Sequence, residues 1–169
     1  MVSIEQLRND NRFYIDDFNL NRIYKHNIVK YTVKKINIGS IIRIYRGKII
    51  ELYQTDVYKY LSGKDDDKVS YDSYCERINM SRRSPEEYDK LISVFKKTPY
   101  DIKKGAVVVD NNNVILEGQH RCCIMLKMFG PDYVIDVVQL IKKKPYSPLV
   151  YLRLLVFKFK RKLNHGKNT

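Results

Sequence analysis

Cysteine is scarce in this chain of 169 residues, and the three present form no useful pattern. Cys122 and Cys123 are adjacent, which excludes an orderly disulfide framework, and none of the three stands at metal-ligand spacing from His26, His120 or His165. Reduced thiols in a cytoplasmic protein are the simple expectation. Long apolar runs are missing as well. Met1-Val-Ser-Ile-Glu-Gln-Leu-Arg8 contains no apolar core of the kind a secretion signal needs, and no stretch is long enough to span a bilayer. Acid is absent from residues 142 to 169, which carry nine Lys or Arg and no Asp or Glu.

That last absence locates the net charge of +13. Residues 1 to 141 hold 23 basic and 19 acidic groups, an excess of only +4. A duplex-DNA footprint belongs on the folded surface that docks, whereas most of this charge lies in a tail, which argues against DNA as a partner. The length suits one domain with appendages, burying about two thirds of its unfolded surface. No separate cofactor domain fits.

Residues 1 to 35 are polar and read as an irregular extension packed on the domain. Ile36 to Tyr45 and Lys48 to Tyr53 read as a strand pair around Arg46-Gly47. Thr55 is a candidate cap for a short helix through Leu61, ended by Gly63. Asp65-Asp66-Asp67 follows, and adjacent carboxylates in a loop are more often solvated than convergent on magnesium. Ser84-Pro85-Glu86-Glu87 is a capping box with proline at the first helical position, and Tyr88, Leu91, Ile92 and Phe95 continue at helical spacing until Pro99.

The most informative stretch is Glu117-Gly118-Gln119-His120-Arg121. Gly105 to Val109 is a short β-branched run, Asp110-Asn-Asn-Asn113 is turn chemistry, and Val114-Ile-Leu116 resumes the apolar pattern, so the pair reads as a hairpin. A helix with Cys122, Met125 and Phe129 on one face follows, stopped by Gly130-Pro131, and Val134 to Ile141 is a further strand. A strand that hands over to a helix at Gly118 points backbone N–H groups and the positive end of the helix dipole at whatever lies in front. A phosphate suits that place. Arg121 carries a fork that matches phosphate oxygens, at a helix start where a cation is unfavourable without an anion; a salt bridge to Glu117 or Asp136 is the plainer alternative. His120 is either a phosphate donor or a capping side chain, Gln119 offers a hydrogen bond, and Cys122 and Cys123 read as packing residues, with a small chance of reactivity for Cys122.

With Gly118-Gln119-His120-Arg121 as its core motif, the chain resembles the ParB/sulfiredoxin superfamily over roughly residues 36 to 141. Partition proteins of that superfamily usually have Gly-Glu-Arg-Arg here, its free-serine kinases have Asp-Gly-His-His-Arg, and its sulfiredoxins place a reactive cysteine where this chain has Gln119. Glu117 replaces the common aspartate. The resemblance implies a single α/β (α+β) domain with a small mixed sheet, flanked by the extension 1 to 35 and the tail 142 to 169. It implies nucleotide binding (ATP, ADP or CTP with Mg2+) at Gly118, Gln119, His120 and Arg121. It also implies a small-molecule phosphotransferase (kinase) or nucleotide hydrolase, with His120 and a carboxylate, Glu51 or its rival Asp56, as catalytic groups and an unidentified small-molecule acceptor. Some free-standing members occur among surface-polysaccharide assembly proteins. Sulfinic acid reduction is not implied, because the cysteine is missing. The alternatives are a ParB-like nucleotide switch or DNA-associated regulatory module without turnover, disfavoured because only 28 residues follow Ile141, and a membrane-recruited scaffold.

The tail supplies the reason for that last alternative. Leu149, Leu152, Val156, Phe159 and Leu163 share one helical face, while Lys158, Lys160, Arg161 and Lys162 crowd the end. Such a helix fits an anionic membrane surface or a protein partner across residues 145 to 163, making the chain a peripheral membrane protein. It equally fits a C-terminal helix docked on its own domain.

Overall fold

The computed structural model describes residues 1–25, 27–62, 71–73, 76, 85–143 and 146–165. Twelve elements are used below: α1 (Ile4–Arg8), α2 (Asp17–Tyr24), β1 (Ile28–Asn37), β2 (Ile42–Tyr45), β3 (Lys48–Glu51), α3 (Asp56–Leu61), α4 (Pro85–Lys97), β4 (Val108–Asp110), β5 (Ile115–Glu117), α5 (Gln119–Phe129), β6 (Val134–Lys142) and α6 (Pro148–His165). The fold is mixed α+β. Four strands form one sheet in the order β1-β6-β4-β5, and β2 and β3 form a separate hairpin. β6 pairs antiparallel with β1 and parallel with β4, so the sheet is mixed.

Alternation along the central strands sorts the core onto two faces, because successive side chains of a strand point to opposite sides. Val107, Val109, Ile135 and Val137 pack against Val57 and Leu61 of α3 and Met125 of α5, with Leu52 of the turn before α3 in the same cluster. Ala106, Val108, Val138 and Leu140 pack the other way, against Leu7, Phe13, Leu20 and Ile23 of the N-terminal segment. Helices therefore cover both sides of the sheet. A third, smaller cluster joins Ile42 and Val114 to Leu154 of α6, with Val150 and Phe157 beside it.

The N-terminal 35 residues are thus not irregular. Ser3 and Gln6 form a reciprocal capping box on α1, and Asp16 caps α2 by accepting from Asn19 N at 3.0 Å. β1 runs the length of β6, from Ile28 opposite Lys142 to Asn37 opposite Val134, so a boundary at residue 36 cuts through a strand. Lysines at 30, 34 and 35 hide that strand from a hydrophobicity reading. They make physical sense on an edge, where charge discourages pairing with a foreign strand.

The β2–β3 hairpin turns at Arg46 and Gly47, both with positive φ, where expected, but it is shorter at both ends: Ile36 and Asn37 belong to β1, and Leu52–Gln54 form a 3-10 turn in place of the end of the second strand. Thr55 caps α3 as read, α4 covers Pro85–Lys97, and α5 ends at Gly130. Ser84, Gly63, His26, the Asp65–Asp67 run and Pro145 lie outside the described residues.

Candidate functional site

β5 delivers the chain to Gly118, which takes φ 87° and ψ 19° as the N-cap of α5. That left-handed conformation favours glycine, and the space does too: a Cβ here would sit 3.0 Å from Val107 Cγ2 and 3.1 Å from Val107 Cα. Gly118 offers no side-chain cap, and its carbonyl accepts the first helical bond from Cys122 N at 3.0 Å. The amides of Gln119, His120 and Arg121 have no intrahelical acceptor, as at any helix start.

Three guanidinium groups surround this positive helix end. Arg22 of α2 donates to Leu116 O at 2.9 Å and pairs with Glu117. Arg43 of β2 donates to Gln119 Oε1 and lies 5.6 Å from the ring centre of Tyr45. Gln119 Nε2 is buried with no hydrogen-bond partner among the described residues. Arg121, half-buried, forms no hydrogen bond or salt bridge with a described residue. The plainer alternative for Arg121 therefore does not hold: Glu117 is engaged by Arg22 instead.

Arg121 lies flat against a second glycine. A Cβ on Gly105 would come within 2.6 Å of Arg121 Nη2 and 2.8 Å of its Cζ, so only glycine leaves the guanidinium where it is. The N-terminal segment is stitched to the same region. Tyr14 N donates to Ile102 O at 3.1 Å, and Ala106 N donates to Tyr14 O at 2.8 Å. This brings Asp16 into the field of Arg121. Burial alone would raise the Asp16 carboxyl, but the Asn19 hydrogen bonds and Arg121 together hold it below the ordinary carboxylate range. Tyr100, whose hydroxyl accepts from Val107 N at 2.8 Å, is pushed well up by burial.

The residues expected to act are only partly brought together. Gly118, Gln119, His120 and Arg121 share the first turn of α5 as their adjacency requires, and His120 Nε2 is withdrawn from solvent. Glu51 is not at this turn. It ends β3, where its carboxylate lies 3.8 Å from Arg161 Nε. It lines a cavity of about 480 Å³ with Leu126, Gly130 and Pro131, at the C-terminal end of α5. Eleven helical residues, about 16 Å of rise, separate the two ends of that helix. Thr55, the residue before Asp56, sets its hydroxyl 3.5 Å from Cys123 Sγ, one turn into α5. A second cavity of about 750 Å³ runs under α6 past Asn112, Asn113 and Lys158, and neither cavity touches Gly118.

Sequence reading missed Asp16, Arg22, Arg43 and Gly105. Only the cap pattern at Asp16 leaves a local trace; the others reach the turn through tertiary pairing.

Cys122 and Cys123 are fully buried. Burial pushes the Cys122 thiol well up and the Cys123 thiol to about 12, although Thr55 and Arg43 oppose the latter shift. A thiol is nucleophilic only as its anion, so the helix start does not activate Cys122. Native protein treated with iodoacetamide near pH 8 is expected to leave both unmodified by peptide mapping, with labelling only after denaturation. Rapid native labelling of Cys122 would contradict the packing.

Three groups of histidine, cysteine or carboxylate close enough to hold a metal do not occur among the described residues. No described helix is long and apolar enough to cross a membrane. Compared with protein-family models, with curated proteins and with solved structures, the chain matches none.

Proposed function

We propose that the Gly118–Arg121 turn holds the phosphate groups of a nucleotide and that the chain is a cytoplasmic nucleotide-binding domain. One observation carries this reading. A guanidinium with no salt-bridged carboxylate among the described residues rests on a glycine beside a helix start without a side-chain cap, with Arg43 bonded to Gln119 in the same turn and Arg22 already neutralised by Glu117. A cation in the first turn of a helix is unfavourable by about 0.3–1 kcal/mol unless an anion answers it. A phosphate supplies that charge and accepts from the amides of Gln119, His120 and Arg121 at once.

Binding without turnover is the better supported form. A kinase or hydrolase needs a base near the acceptor, and Glu51 faces Arg161 at the opposite end of α5. Asp16 is the carboxylate in the field of Arg121, but it already accepts two hydrogen bonds from Asn19 and is held low, which makes it a poor proton acceptor. Buried, reduced thiols suit a cytoplasmic setting, and an excess of only +4 over residues 1 to 141 argues against duplex DNA as the partner.

Titration calorimetry with ATP, ADP, CTP and inorganic phosphate, each with and without Mg2+, tests the reading. Saturable binding of at least one nucleotide at about 1 mM or tighter is expected, with phosphate alone weaker. No heat from any nucleotide at several times that concentration would discard it. Release of phosphate in the same samples would restore the enzymatic form.

A further inference from the structure

The C-terminal helix is amphipathic twice over. Its inner face, Val150, Leu154, Phe157 and Arg161, holds it to the domain: Leu154 is 1% exposed, and Arg161 donates to Gly39 O. At 3.6 residues per turn, Leu149, Leu152, Leu155, Val156, Phe159 and Leu163 fall on the opposite side. All six are exposed, Leu152 at 58% and Phe159 at 65%. A docked helix normally turns polar residues outward, whereas this second apolar stripe stays exposed beside the described residues.

We propose that this outward stripe lies on an anionic lipid bilayer, with α6 as an interfacial anchor. From Leu149 to Leu163 the stripe extends about 21 Å along the helix. Basic residues border it on both sides, Arg153 and Lys160 along one margin and Lys158 along the other, and residues 142 to 169 contain no acid. Arg153 donates to Gly47 O at 2.7 Å and Lys158 to Asn112 Oδ1 at 2.8 Å, so these two add charge beside the stripe while Lys160 makes no such bond to a described residue. An apolar strip between cationic margins matches the boundary between acyl chains and anionic headgroups, where Lys and Arg reach outward to phosphate. Charge also decides between occupants. A second copy of this chain would set two acid-free basic faces against each other, while an anionic surface attracts both margins. Crossing the bilayer is excluded by composition, since α6 is not apolar enough along its length. The helix lies on the membrane and keeps its inner face on the domain.

Co-sedimentation of the full chain with vesicles tests this independently of nucleotide binding. Vesicles rich in phosphatidylglycerol are expected to bind the protein at about 0.1 M salt, pure phosphatidylcholine vesicles about tenfold less, and raised salt should release it. The double substitution Leu152→Glu and Phe159→Glu alters only outward positions and is expected to lower binding to anionic vesicles at least about tenfold, with the circular dichroism spectrum and thermal midpoint retained. Lys160→Glu, on the margin, is a second variant expected to weaken binding and its salt dependence. Absence of binding to anionic vesicles, or binding that neither variant changes, overturns the proposal. Concentration-dependent dimerisation abolished by Leu152→Glu, in a protein that ignores vesicles, also overturns it and assigns the stripe to a second copy.

Discussion

Asp110→Ala is expected to destabilise the fold by about 3–5 kcal/mol, a large share of the roughly 5–15 kcal/mol that holds a domain together. Asp110 ends β4 and is completely buried. One carboxylate oxygen accepts from Asn112 N at 2.8 Å and Val114 N at 3.0 Å, which fixes the turn into β5. The other accepts from the Tyr146 hydroxyl and lies 3.3 Å from Lys142 Nζ, itself buried and 4.6 Å from the Tyr146 ring centre. Alanine leaves a buried ammonium without its counter-charge and two backbone amides without acceptors. Urea denaturation followed by circular dichroism measures the loss. Asp110→Asn combined with Lys142→Met should be less damaging than Asp110→Asn alone, because it removes the orphaned charge together with its partner. Simple addition of the two single losses would show that the pair does not act as a unit.

The second large effect concerns ligand rather than fold. Arg121→Ala is expected to weaken nucleotide binding about 10- to 100-fold, corresponding to the roughly 1.5–3 kcal/mol of a hydrogen bond to a charged group. Stability should change little, since Arg121 makes no ion pair with a described residue and is only half-buried. Arg121→Lys keeps the charge but loses the planar fork, so it should recover part of the affinity. Calorimetry on the three proteins, beside their thermal midpoints, separates the readings. A folded Arg121→Ala protein that binds nucleotide as tightly as wild type removes the turn from the site.

How much of this was legible before the structure depends on the range of the interaction that decides each element. Gly118, Gly130 and Thr55 act within a few residues of themselves, and the turn, the stop and the cap they signal all occur where expected. The strand Ile28–Asn37 depends instead on β6, about a hundred residues away, and its lysines mask its role. Asp110 looked like plain turn chemistry beside three asparagines. Its burial follows from Lys142 and Tyr146, which no local pattern connects to it. Glu51 was chosen by analogy of position, and nothing in its neighbourhood revealed that Arg161 of the last helix would meet it. Amphipathicity showed that the last helix had an apolar stripe, but the side that docks is the one built on Val150, Leu154 and Phe157.

The middle place of β6 in the sheet also orders events during synthesis. β1 and β4 both need β6 as a neighbour, and β6 follows every other described strand in the chain. Until residues 134 to 142 are available, the β4–β5 hairpin and β1 have no strand to join them, so the sheet cannot be completed. Loop closure over such a separation is slow compared with helix formation, so the helices around the sheet can form before the surface they cover exists.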